Sequence, residues 1–82
     1  MKSPPPLHYA VRMALENALE ALDAGAAPCV PSGVVASLRL RRKMLREIAD
    51  GFGPFRLKDA YELGDISRVL DALDRKVSDD AA

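Results

Sequence analysis

Tryptophan is absent from this sequence, and the aromatic residues are only Tyr9, Phe52, Phe55 and Tyr61. A core built from it must come from Leu, Val, Ile, Met and Ala, a palette that favours helices. Cysteine and histidine occur once each, as Cys29 and His8. A single cysteine excludes an internal disulfide and fits a reducing compartment. The pair cannot furnish a Cys/His zinc site, which needs about four ligands, or three plus water. Net charge is also absent, because 12 basic residues balance 12 acidic ones. A dedicated nucleic-acid binder usually carries a clear positive excess. No apolar run approaches the roughly 20 residues that span a bilayer. The opening Met1-Lys2-Ser3-Pro4-Pro5-Pro6 is not followed by an apolar stretch of the secretory type. The expectation is a cytoplasmic protein without a membrane anchor.

Catalytic groups are equally sparse. Cys29 precedes Val-Pro-Ser-Gly, but the Arg that a cysteine phosphatase places six residues on is Val35 here. Cys29 therefore reads as a plain loop or core cysteine, and His8 as a surface or packing residue. Asp59, Glu62 and Asp65 span an expected helix end, and Glu16, Glu20 and Asp23 fall on one polar helix face. Neither group has the alternating spacing of a calcium loop. Gly51-Phe52-Gly53 lacks the Lys and the preceding strand of a phosphate loop. The sequence predicts no enzyme, no cofactor and no metal.

What is present is helical periodicity in a chain of 82 residues, 49% of them apolar. That length makes one domain with one modest core. The expected organisation is a proline-rich lead-in over 1–6, a single helical domain over 7–77 and a frayed acidic tail over 78–82. Leu7, Val11, Leu15, Ala18, Leu19 and Leu22 recur at helical spacing and predict a first helix over 7–24, stopped by Gly25. Arg12 and Glu16, at i and i+4, are placed to pair. Residues 24–33 form a linker, with Ser32 or Ser37 as candidate caps of the next helix.

A second helix is expected over 34–50, ended by Gly51. Val34, Leu38, Met44, Leu45, Ile48 and Ala49 share its apolar arc. Arg41 falls in the middle of that arc, where an unpaired charge is costly. It must either snorkel to water or meet an acid from another helix or another subunit. Pro54 blocks continuation. A short third helix is expected over Leu57–Leu63, with Gly64 ending it and Asp65 capping a fourth from Ile66 to Val77. Ile66, Val69, Leu70, Leu73 and Val77 line one face of the fourth, and Asp71 and Arg75 are placed to pair on the other. The predicted core is Leu15, Leu19, Leu22, Leu38, Leu45, Ile48, Leu70 and Leu73. The fold class is all-α, a small bundle of three to four helices.

Charge is unevenly spread. Residues 39–58 hold seven bases and two acids, and residues 59–82 hold three bases and seven acids. Arg39, Arg42, Lys43 and Arg46 share one face of the second helix and form a basic stripe. Such a stripe can lie against an acidic protein surface or a phosphate backbone. Alternatively, the acidic C-terminal segment neutralises it internally.

Residues 55–77 resemble the helix-turn-helix unit of small DNA-binding regulators. Ala60 and Gly64 have the separation of the Ala and Gly in that motif, and Leu57, Leu63, Leu70 and Leu73 supply its inward positions. Residues 66–73, Ile-Ser-Arg-Val-Leu-Asp-Ala-Leu, would be the recognition helix. Asp65 departs from the motif, which has a hydrophobe in the turn. The resemblance implies DNA binding, with Arg56, Lys58, Arg68 and Arg75 as contacts. Two functions are therefore expected of this chain. The first is a small interaction protein (an adaptor, inhibitor or modulator) that binds a protein partner through the stripe. The alternative is a DNA-binding regulator. Arg41 on the apolar arc and the modest core also make a homodimer an expectation.

Overall fold

The computed structural model describes the backbone of residues 5–81 and the side chains of residues 5–51 and 53–75. Residues 1–4 of the lead-in, and the side chains of Val77 and of the tail 78–82, lie outside the described residues. The described residues form an all-α bundle of three helices: α1 (Tyr9–Asp23), α2 (Ser32–Glu47) and α3 (Leu57–Ala81).

Helix α1 begins two residues later than its apolar pattern suggests. His8 has non-helical dihedrals, and its Nδ1 accepts a hydrogen bond from the Ala10 amide at 3.2 Å. The C-terminus closes in a Schellman turn. The Ala26 amide donates to the Ala21 carbonyl (2.8 Å) and the Gly25 amide to the Leu22 carbonyl (3.0 Å). Gly25 sits at φ +79°, which a residue without Cβ adopts at no steric cost.

Neither Ser32 nor Ser37 caps α2. Pro31 is the N-cap and makes no side-chain cap bond. Ser32 is already helical, one position too late to cap, and the Ser37 hydroxyl donates to the Gly33 carbonyl inside the helix. At its far end α2 widens into a π-helical turn, Ile48–Phe52, in which Gly51 takes φ +112°.

The break expected at Gly64 does not form. Residues 57–81 are one helix of 25 residues that runs straight through Gly64 and Asp65. The reason is packing. A mid-helix glycine costs about 0.5–1 kcal/mol relative to alanine. The buried Asp59, Ile66, Val69 and Leu70 lie on both sides of it along one face, and continuity keeps them in phase. Gly64 itself points away from the bundle, and a Cβ there would meet nothing within 4 Å. Gly64→Ala should therefore stabilise the fold by about 0.5–1 kcal/mol. Thermal melts check this, with an upward shift of about 4–8 °C per kcal/mol for a domain of this size. A lower melting temperature would mean that this position bends.

The helices pack with α2 antiparallel to α3 and α1 parallel to it. Arg39 and Arg42 of α2 reach Asp74 and Asp71 of α3, and Asp23 at the end of α1 meets Arg68 in the middle of α3. The core is Leu15, Ala18, Leu38, Leu45, Ile66, Val69 and Leu70. Leu19, Leu22, Ile48 and Leu73, also expected inside, are half-buried, because a three-helix bundle leaves its ends and seams partly open. Helix α2 shares its larger interface with α3, and the seam between α1 and α2 is the loosest. No helix among the described residues is long and apolar enough to cross a membrane.

Candidate functional site

Helix α2 presents three distinct sides. Leu38, Arg41 and Leu45 turn inward and are buried. Arg39 and Arg42 form the edge next to α3. Leu40, Lys43, Arg46 and Glu47 face water, and Leu40 is 70% exposed.

The basic stripe is therefore split. The Arg39 guanidinium donates to the Asp74 carboxylate at 2.8 Å, and Arg42 lies 3.8 Å from Asp71. Lys43 and Arg46, on the same helix, have no acid within 4 Å among the described residues. Antiparallel packing explains the division. Steps of three along α2 meet steps of three along α3, so bases 39 and 42 face acids 74 and 71. One further step of three reaches Leu45, which is buried, and Arg68, which pairs with Asp23, so the row of facing acids ends before Arg46.

Arg41 is the least exposed charge of α2, at 8%. Its Nε donates to the Glu62 carboxylate of α3 at 2.6 Å, and its Nη1 donates to the carbonyl of Pro5. The acid that the apolar arc demanded is supplied by another helix of the same chain. The bond also fastens Pro5 against α2. Glu62 was out of reach of sequence reasoning because a break was expected at Gly64. In one continuous helix, Asp59 and Glu62 fall on the same stripe as Ile66, Val69, Leu70 and Leu73. An acid on the apolar stripe of α3 then matches a base on the apolar arc of α2.

The residues singled out as DNA contacts are scattered. Arg56 reaches Asp59 at 3.3 Å and Arg68 reaches Asp23 at 3.1 Å. Lys58 lies in the first turn of α3, and Arg75 is exposed near the other end. At 1.5 Å per residue, Lys58 and Arg75 stand about 25 Å apart along the helix. The Arg12–Glu16 and Asp71–Arg75 pairs do not form within 4 Å among the described residues. Arg12 instead lies over the Tyr9 ring, 5.9 Å from its centre. Asp71 faces Arg42. Cys29 is exposed in the loop between α1 and α2.

Asp59 fixes the start of α3. Its carboxylate accepts from the Arg56 amide at 3.1 Å, which satisfies an otherwise unpaired donor at the helix end. That bond, foremost, and the Arg56 guanidinium hold its pKa below the ordinary carboxylate value, against the opposing effect of burial. A carboxyl group with a lowered folded pKa contributes stability above its unfolded pKa, and loses it as pH falls through the folded value. Asp59→Asn should therefore flatten the acid limb of the stability curve. Urea melts over an acidic pH series check this, and an acid limb as steep as in the parent chain would place the titrating group elsewhere.

Among the described residues, no three His, Cys, Asp or Glu side chains converge as a metal site would require. The chain matches no family model, and no curated protein or solved structure is significantly similar to it.

Proposed function

We propose that this chain is a non-enzymatic interaction module that docks on an acidic protein surface through the outward side of α2. The observation that carries this reading is the split of the stripe. Arg39 and Arg42 are spent on α3, whereas Lys43 and Arg46 are exposed without a described acid within 4 Å. Leu40 lies beyond Lys43 on the exposed arc and adds apolar area to the same surface. Complementary charge of this kind mainly accelerates encounter and selects partners.

The test separates the two halves of the stripe. Lys43→Glu with Arg46→Glu should leave melting unchanged, because exposed charges contribute little to stability. The same pair should abolish capture of a protein that the parent chain retains from its native lysate. Against that purified protein, association should slow most at low salt, where screening is least. Arg39→Glu with Arg42→Glu should instead lower the melting temperature by setting like charges against Asp74 and Asp71. Capture that is indifferent to the first pair would refute the reading. Retention of random duplex DNA, weakening steeply with salt, would replace the protein partner with a nucleic acid.

A further inference from the structure

A cleft of about 420 Å³ opens where the N-terminal ends of α1 and α3 meet the middle of α2. Arg12, Arg41, Arg56 and Lys58 line it, together with Asp59 and Glu62. Two of these cations are already balanced, since Arg56 pairs with Asp59 and Arg41 with Glu62. Arg12 and Lys58 have no acid within 4 Å among the described residues, so the lining carries two surplus positive charges.

Three further features bear on what would enter. Arg41 is held almost out of water at the floor, and its bonds to Glu62 and Pro5 leave other guanidinium N–H groups unspent. The first turn of α3 opens here. The Arg56 carbonyl accepts from the Asp59 and Ala60 amides, and the earlier amides, of Leu57 and Lys58, lie at the positive end of the helix dipole. The volume lies within the range of small-molecule sites, about 300–1,000 Å³.

We propose that this cleft binds a phosphate monoester group carried by a small molecule. Charge balance selects the class. A phosphate monoester holds about −1.5 to −2 charges at neutral pH, which matches the surplus of Arg12 and Lys58. A monoanionic diester leaves half of that surplus unmatched. Arg12 grips two phosphate oxygens and Lys58 acts as a point charge on a third. This site is separate from the outward face of α2: Arg41 is on the buried side of that helix, and Lys43 is on the exposed side.

The experiment is a titration of the full chain followed by amide NMR shifts at low ionic strength. The probes are inorganic phosphate, glycerol phosphate, dimethyl phosphate and a phosphoserine peptide. Inorganic phosphate and glycerol phosphate should give saturable shifts at Leu57, Lys58 and Arg12. Dimethyl phosphate should bind about tenfold more weakly or worse, given the worth of a charged hydrogen bond. Arg12→Gln and Lys58→Gln should each weaken glycerol phosphate by about tenfold with the amide spectrum otherwise kept, and Arg75→Gln, near the far end of α3, should change nothing. Shifts that stay linear up to about 10 mM phosphate would overturn the proposal, as would equal binding of the diester or binding unaffected in both variants. Tighter binding of the phosphoserine peptide than of glycerol phosphate would overturn the small-molecule source. The outward face of α2 is not probed here, so a failure of this cleft leaves the docking reading standing.

Discussion

Leu45→Ala will destabilise the fold by about 2–5 kcal/mol. The side chain is fully buried, and it sits on the face of α2 that packs into the bundle. Its removal deletes apolar contact and leaves a cavity that rigid neighbouring helices cannot fill. At about 0.05–0.15 kcal/mol per residue, a chain of this length has only a few to a dozen kcal/mol in total. Partial unfolding at room temperature is therefore an expected result. Leu19→Ala, at a half-buried position, should cost clearly less. Urea unfolding followed by circular dichroism measures both. Equal costs at the two positions would contradict the burial pattern.

Glu62→Ala should cost about 3 kcal/mol, the lower end for breaking a buried ion pair. It strands the Arg41 guanidinium at 8% exposure, with the Pro5 carbonyl as its remaining described partner. The low end applies because Glu62 lines an open cleft and is itself 23% exposed, so water can partly replace it. Arg41→Met should behave differently. It fills the same space with an apolar chain and releases Glu62 toward solvent, so it should fall within about 1 kcal/mol of the parent chain or be more stable. The double variant should recover most of the loss seen with Glu62→Ala alone. A double-mutant cycle on thermal or urea melts reads the coupling directly. Equal and additive losses would show that the pair contributes nothing as a pair.

The candidate site was half legible. The stripe of Arg39, Arg42, Lys43 and Arg46 follows from residue spacing on one helix, and it stands where the spacing put it. Which of its members are free does not follow, because that depends on the register between α2 and α3. Arg41 announced itself as a misfit on an apolar arc, so a partner was demanded. Its identity required knowing that Glu62 lies on the same helix and in the same phase as Ile66. The cleft draws on Arg12, Arg41, Arg56 and Lys58, from all three helices and a connection. No local pattern joins those positions.

The sequence by itself determined the three apolar arcs, the all-α class, the stop at Gly25 and the interruption ahead of Pro54. These are local matters, because periodicity and backbone chemistry act within a turn or two of helix. Gly25, with its positive φ, ends α1 where the sequence placed the stop. Gly64 carries the same local signal and ends nothing. The tertiary structure decided that case. Asp59, Ile66, Val69 and Leu70 are buried on one face of α3 across the glycine, and keeping them in phase outweighs a propensity cost of about 1 kcal/mol. The same packing decided which charges of α2 are paired. Once hydrophobic burial has fixed the register of two antiparallel helices, it also fixes which bases meet acids and which are left facing water.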